Sequence, residues 1–169
     1  RCAQMLEVRR HAGGVVADRT AGGAQQFLMA GGISENCVLD SVELYDPVSD
    51  RWTMLDARLP NSFRCNGALI ADASAALVVR SDSFVHKDSL LLDVRCETNA
   101  WQRVALPPVP LAWPALVAIG DHSVLMLGGF SSSETTELTQ LFDVRADRWS
   151  DRPEWQLPTE SHNFHAVVL

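Results

Sequence analysis

The stretch LMAGGISENCVLDSVELYDPVSDRW, residues 28–52, predicts three short strands joined by two turns. Its apolar start ends at the Gly pair 31–32, which is typical of a short buried strand. Residues 40–45 alternate between apolar and polar side chains, as expected for a half-buried strand. Asp46-Pro47 then predicts a turn, because the Asp side chain can cap the backbone and Pro fixes φ. A third strand is predicted to begin at residues 51–54.

The same pattern returns twice along the chain. Trp52, Trp101 and Trp149 are separated by 49 and 48 residues. The segment VLMLGG, residues 124–129, closely copies FLMAGG, residues 27–32, and a loop is predicted after it at residues 131–135. The middle unit is less regular: it lacks a Gly pair, for which Val79-Arg80 is the predicted replacement. A period near 50 with four short strands in each period indicates a β-propeller blade of the kelch kind.

A resemblance to a known family can be named on these residues. A Gly pair, a spacer, Tyr-Asp-Pro and then Trp resembles the kelch motif. The segment LDSVELYDPVSDRW, residues 39–52, is similar to the kelch repeats of BTB-kelch adaptor proteins. These adaptors are substrate receptors of cullin-RING ubiquitin ligases, so the resemblance implies a ubiquitin ligase adaptor that binds other proteins.

We therefore expect an all-β fold, a partial kelch β-propeller over residues 1–169. The predicted four-stranded antiparallel blades cover about residues 10–56, 64–105 and 112–153, and residues 162–169 would start a further blade. Propellers typically have 4–8 blades, so three blades form an open arc. We expect the ring, six-bladed as in the resembled family, to be closed by remaining blades or by a second copy of the chain.

The repeated glycines and aromatic residues are interpreted as structural. A glycine lacks Cβ, so it tolerates unusual φ and ψ and would let an aromatic ring lie on the backbone. The aromatic residues of the third and fourth strands would supply the rings. The predicted structural residues are Gly31, Gly32, Tyr45, Trp52, Trp101, Gly128, Gly129, Phe142 and Trp149.

Composition limits the classes of partner and the compartment. The net charge is -7 and the pI is about 5.1, whereas a nucleic-acid binder normally has a basic stripe. No apolar run approaches the roughly 20 residues of a membrane helix. The four cysteines form no CxxC pair, so we interpret them as reduced, mostly buried thiols. These features predict an intracellular, cytoplasmic protein with neither a nucleic-acid nor a membrane partner.

The predicted binding residues come from the resemblance. In BTB-kelch proteins, residues just before the first strand of a blade and just after the Gly pair line a peptide pocket. Arg64 matches one such position, as does Arg9, or Arg10 by a one-residue shift, whereas Leu111 stands there in the third unit. An arginine rim would bind acidic or phosphorylated peptides. The predicted set is Arg9, Arg10, Ser34, Glu35, Asn36, Arg64, Arg80, Ser81, Ser131, Ser132 and His162.

Catalytic patterns are absent from the sequence. No Ser-His-Asp set, nucleophile elbow or phosphate loop is present. His162 and His165 would point to opposite faces of a strand and would not share a metal. We therefore predict a non-enzymatic protein without metal or cofactor. Two alternatives remain open: part of an enzyme propeller, oxidase-like or mutarotase-like, and an actin-binding kelch protein.

Overall fold

The computed structural model describes residues 2–17, 25–35, 37–62, 65–69, 75–80, 89–93, 100–120, 122–132, 134–162 and 166. Within these ranges the chain forms three four-stranded antiparallel sheets, with strand orders β1-β2-β3-β4, β5-β6-β7-β8 and β9-β10-β11-β12. No α-helix is present among the described residues; one 3₁₀ turn spans Pro153–Trp155. The all-β architecture and the three predicted blades are confirmed. The predicted start of a further blade lies almost wholly outside the described ranges.

Each sheet is a simple meander of consecutive strands. The strands of the first sheet are β1 Gly13–Ala17, β2 Gln26–Ala30, β3 Val42–Asp46 and β4 Arg51–Leu55. Those of the second are β5 Cys65–Leu69, β6 Ala75–Arg80, β7 Ser89–Asp93 and β8 Trp101–Arg103. Those of the third are β9 Ala115–Ile119, β10 Ser123–Ser131, β11 Glu134–Asp143 and β12 Arg148–Asp151. The first strands of neighbouring sheets contact each other, so the sheets are arranged as successive blades.

Apolar side chains fill the two spaces between the sheets. Leu28 and Val42 of the first sheet pack against Leu90 and Leu92 of the second, and all four are fully buried. On its other face, the second sheet places Leu77 and Val79 against the third. The residues there that come from the third sheet are Val124, Met126, Phe142 and Trp149. The alternation of side chains along β6 thus serves both neighbours of the middle sheet.

The repeated tryptophans fasten the chain segment that precedes each blade. The indole N–H of Trp52 donates to the Ala3 carbonyl at 3.1 Å. Trp101 donates in the same way to Ala57 at 2.9 Å, and Trp149 donates to Ala105 at 2.8 Å. Beside the first and third of these bonds, a turn carboxylate accepts the backbone N–H of the same residue. We call this preceding segment the strap of its blade; residues 2–9 form the strap of the first sheet.

The glycine pairs have the unusual φ that the sequence predicted, and their second members have a further structural reason. Gly32 has φ +98° and Gly129 has φ +117°. A Cβ on Gly32 would lie 2.8 Å from the carbonyl oxygen of Arg10, and one on Gly129 would lie 2.9 Å from that of Ala112. The second glycine of each pair therefore permits close approach of the backbone that leads into the first strand, and the atoms nearest to it are not those of an aromatic ring.

Two further predictions from the sequence are wrong in detail. Residues 131–135 were expected to form a loop, but β10 and β11 continue into a tight hairpin in which Phe130 pairs with Thr135 and Ser131 with Glu134. Threonine favours extended backbone, which explains the longer strand. In the middle sheet, Ala76 pairs with Leu92 as Phe27 pairs with Tyr45, so Arg80 falls at the place of Gly31. The predicted match of Val79-Arg80 with the Gly pair is therefore shifted by one residue.

Candidate functional site

Most of the predicted binding residues lie at one edge of the arc, where β1 and β9 begin and β2 and β10 end. We call this the loop edge. A cavity of about 340 Å³ opens there at the first blade, lined by Val8, Arg9, Arg10, Ile33, Ser34 and Glu35. It is formed by two separate segments, the residues before β1 and those after the Gly pair. We call it the mouth of the first blade.

Backbone hydrogen bonds hold the two segments of the mouth together. The N–H of Arg10 donates to the Ile33 carbonyl at 3.0 Å, and the N–H of Ile33 donates to the Arg10 carbonyl at 2.8 Å. Next in the chain, the N–H of Ser34 donates to the carbonyl of Cys37 at 3.0 Å. Arg10 and Glu35 are exposed and Ser34 is half-buried. The mouth therefore presents a guanidinium, a carboxylate and a hydroxyl on a fixed backbone.

Arg9 and Arg10, the two alternatives predicted from the sequence, differ in burial. The Arg9 guanidinium is fully buried and ion-pairs with the equally buried carboxylate of Glu43. It also donates to the carbonyls of Gly31 at 2.8 Å and Ser41 at 3.1 Å. Glu7 adds a second carboxylate, 3.2 Å from this guanidinium. Arg9 thus joins the strap to β3, and its placement speaks against contact with a partner, whereas Arg10 is exposed.

The third blade has an aromatic cluster at the equivalent place. Phe130 follows Gly129 and its backbone pairs with Ala112, as Ile33 pairs with Arg10. The ring of Phe130 lies 6.3 Å from that of Trp113 and 6.2 Å from that of His162. We call Trp113, Phe130 and His162 the aromatic corner. His162 was predicted from the sequence, but Trp113 was missed, although an aromatic residue just before β9 was a visible signal.

Of the remaining predicted binding residues, three are described by the structure and three are not. Ser131 and Ser132 lie in the β10–β11 hairpin at the loop edge, beside Phe130. Arg80 ends β6, where its backbone pairs with Cys65. Asn36, Arg64 and Ser81 lie outside the described residues. All of these stay predictions.

Among the described residues, the groups with shifted pKa values lie at the opposite edge, around the β3–β4 turn. Hydrogen bonds from the Ser49 hydroxyl and the Val48 N–H lower the pKa of Asp46. The N–H of Ala3 and the hydroxyl of Tyr45 lower the pKa of Asp50. The same hydrogen bond to Asp50 is the main cause that raises the pKa of Tyr45. These bonds close a turn and fasten the strap, so we interpret the shifts as structural.

No group of three or more His, Cys, Asp or Glu side chains that could hold a metal ion occurs among the residues that the structure describes. Over the same residues, no helix has the length and apolar character that crossing a bilayer requires.

Comparison with known proteins gives two matches. The Kelch motif family model matches residues 28–56. Kelch-like protein 25 of Xenopus tropicalis is 26% identical to the chain over 120 residues. That alignment covers 69% of this chain but only 19% of the relative, so the chain corresponds to a small part of that protein's length.

The matched motif contains the Gly pair, Tyr45 and Trp52 of the first blade, the same residues that carry the resemblance noted from the sequence. The relative aligns over a stretch longer than two blades. Together with three meander sheets stacked as blades, these matches show that the chain is similar to kelch-repeat proteins of the kelch-like type.

Proposed function

We propose that the chain is a non-catalytic protein-interaction module that binds a peptide or a partner domain at its loop edge. The observation that carries this proposal is the mouth of the first blade, in which Arg10, Ser34 and Glu35 converge on one cavity. They come from two segments joined by a pair of backbone hydrogen bonds. A rigid backbone that presents charged side chains favours recognition, because little conformational entropy is lost on binding.

The chemistry of the mouth favours a polar peptide segment. The guanidinium of Arg10 would bind a carboxylate or phosphate through two parallel hydrogen bonds. Glu35, at the same cavity, would disfavour a partner with negative charge throughout and would accept an N–H or an ammonium group. We include the predicted residues Ser131, Ser132, Arg80 and His162 in the proposed surface along the loop edge; Asn36, Arg64 and Ser81 stay predictions from the sequence.

The proposal includes a closed ring. A cavity of about 490 Å³, lined by Gln25, Gln26, Phe27, Tyr45 and Pro47, opens on the face of the first sheet that is turned away from the second. Large aromatic side chains exposed on a sheet face favour association. We propose that remaining blades or a second copy of the chain cover this face.

The finer role we propose is substrate recognition for a cullin-RING ubiquitin ligase, in the cytoplasm. Its support is the similarity to a kelch-like protein and the resemblance to BTB-kelch adaptors. Among the described residues, Cys2 and Cys37 are free and exposed thiols, and free thiols agree with a reducing compartment. No nucleic-acid or membrane partner is proposed.

Partner capture with matched variants tests the interaction surface. Proximity labelling in cells would compare the protein with Arg10→Ala and Glu35→Ala variants, and with Arg51→Ala as control. Arg51 is an exposed arginine at the β3–β4 turn, at the opposite edge of the same sheet. We expect Arg10→Ala to lose partners that Arg51→Ala keeps. Equal partner sets for all variants would contradict a binding role of the mouth.

A further inference from the structure

The aromatic corner combines three rings from three separate parts of the chain. Trp113 precedes β9, Phe130 lies near the end of β10, and His162 follows the third sheet. Their ring centroids are 6.2 to 6.4 Å apart, so they form a nearly equilateral triangle. The ring planes are inclined to one another by 44° to 63°. Trp113 and Phe130 are half-buried and His162 is exposed, so solvent reaches this cluster of rings.

The first and third blades share the backbone conformation of the corner, but they differ in its aromatic side chains. Trp113 has φ +51°, and His11, at the same place before β1, has φ +54°. A positive φ at this point therefore belongs to the repeat and is not itself a sign of function. At the position of Phe130 the first blade has Ile33. The third blade thus carries aromatic side chains on a backbone conformation that it shares with the first blade.

A carboxylate is hydrogen-bonded to the hairpin that carries Phe130. Glu160 accepts a hydrogen bond from the Thr135 hydroxyl at 2.9 Å. Thr135 is the cross-strand partner of Phe130, so the two side chains lie on the same face of the hairpin. The N–H of Gly129 donates to the Ser161 carbonyl at 2.7 Å, which fixes the segment that carries Glu160 and His162. A negative charge is therefore held at the hairpin that carries Phe130.

We propose that the aromatic corner binds a cationic side chain, lysine or arginine, of a protein partner. This inference rests on the proposed interaction function and names the chemistry of one contact. The face of an aromatic ring attracts a cation within about 6 Å of its centroid. For three centroids about 6.3 Å apart, a cation about 3 Å above their plane would lie about 4.7 Å from each. Glu160 would add a charge-assisted contact.

A contact of this kind already occurs among the described residues. The Arg152 guanidinium carbon lies 5.4 Å from the ring centroid of Trp155, which is 46% exposed. Trp155 therefore provides a matched control: it is a similarly accessible tryptophan with an internal cation beside it. One face of the Trp155 ring is therefore already next to a cation.

Titration with short peptides, followed by NMR at the Trp113 indole N–H, tests the proposal on the 169-residue chain. The probes are acetylated and amidated peptides of the form Gly-Ser-X-Ser-Gly, with arginine, lysine, citrulline or leucine at X. We expect arginine and lysine to shift the Trp113 resonance saturably at millimolar concentrations. Citrulline, which keeps the shape of arginine without its charge, should shift it much less, and so should leucine.

Three variants sharpen the test. Trp113→Ala should weaken arginine-peptide binding, followed at the His162 resonances, by about fivefold or more. Glu160→Gln removes only a surface charge and should weaken binding about twofold while reducing its salt dependence. Trp155→Ala should leave binding unchanged.

Equal shifts with citrulline or leucine would overturn the proposal in favour of an apolar or hydrogen-bonding pocket. The absence of any shift with arginine and lysine would also overturn it. Neither result would affect partner capture through the mouth of the first blade, because the Arg10→Ala comparison would still report on that function. If Arg10→Ala loses partners but no basic peptide binds, the proposed interaction function is supported and only the cation site is rejected.

Discussion

Two equivalent rows of side chains in the first and third sheets have very different surroundings. Phe27, Tyr45 and Trp52 form a row across the first sheet, and Val124, Phe142 and Trp149 form the same row across the third. In the third sheet Val124 and Phe142 are fully buried against the second sheet, and Trp149 is 7% exposed. In the first sheet Phe27 is 37% exposed, and Tyr45 and Trp52 are only half-buried.

The difference shows what each blade requires from its neighbour. Within each row the aromatic pair has nearly the same geometry, with ring centroids 5.1 Å apart in the first sheet and 5.0 Å in the third. The sheet alone is therefore sufficient to pair the rings, but only a second sheet buries them. The strap covers part of the first row, since Ala3 bonds to both Trp52 and Asp50, and leaves the Phe27 side open.

The largest expected effect comes from truncating the buried row. Phe142→Ala should lower the free energy of unfolding by about 3–5 kcal/mol, because it removes a fully buried ring between two sheets. Tyr45→Ala, at the same place in the first sheet, should cost only about 1–2 kcal/mol, because the ring is partly solvated already. Urea unfolding of both variants measures the difference. Equal losses would mean that the outward row is as well covered as the inner one.

The next effect concerns a buried polar position of the third strand. It holds Glu43 in the first sheet and Gln140 in the third. Gln140 is buried and bonds to both backbone groups of Val109, each at 3.0 Å. Glu43 is equally buried but is charged and pairs with Arg9. Glu43→Ala should cost about 3 kcal/mol, since it leaves a buried guanidinium without its main partner.

The matched control for Glu43→Ala introduces the corresponding residues of the third blade into the first. In the double variant Arg9→Leu with Glu43→Gln, the first blade carries the pair Leu111 and Gln140 of the third. It should recover most of the stability lost by Glu43→Ala, because no buried charge remains. A double variant as unstable as Glu43→Ala would show that the ion pair has a role in stability that Leu and Gln cannot replace.

These comparisons also separate what the sequence could predict from what it could not. The spacing of Trp52, Trp101 and Trp149 predicted the three sheets, because a repeated local pattern repeats a local structure. The burial of Arg9 could not be predicted in this way: it depends on Glu43, 34 residues away in the chain, and on the strap that joins them. Two neighbouring residues before β1 differ in this respect: Arg9 faces the interior and Arg10 faces solvent. The repeat pattern alone does not resolve such a shift of one residue.

The aromatic corner was missed for a related reason. A resemblance transfers only the positions at which a family shares residues, and Trp113 occupies a place where the first blade has His11. Its proximity to Phe130 and His162 results from three segments that meet only in the folded chain. By contrast, the cap that Asp46 provides is local, and the Val48 N–H donates to its carboxylate as Asp46-Pro47 predicted.

The smallest expected effect is a pH dependence of the strap. The hydrogen bonds from Ala3 and Tyr45 hold the pKa of Asp50 below its ordinary value of 3.8. A lowered folded-state pKa contributes stability above pH 3.8 that is lost as the pH falls through the folded value. The Trp52 indole N–H, followed by NMR from about pH 6 to about pH 2, should therefore report loosening of the strap only below pH 3.8.

Asp50→Asn provides the control for that titration. It removes the ionisation and should leave a strap that is weaker at every pH and shows no such transition. The same transition in Asp50→Asn would assign the loosening to another group. The effect should be small because Asp50 is exposed to solvent.

The solution mass of the 169-residue chain tests most directly the claim that the outward row needs a neighbouring sheet. Light scattering at micromolar concentrations should give a mass above that of one chain, and Phe27→Asp should shift the distribution towards single chains by placing a charge on the open face. A single-chain mass for the unmodified protein, together with cooperative unfolding, would contradict the claim, because the open arc would then be stable without any partner.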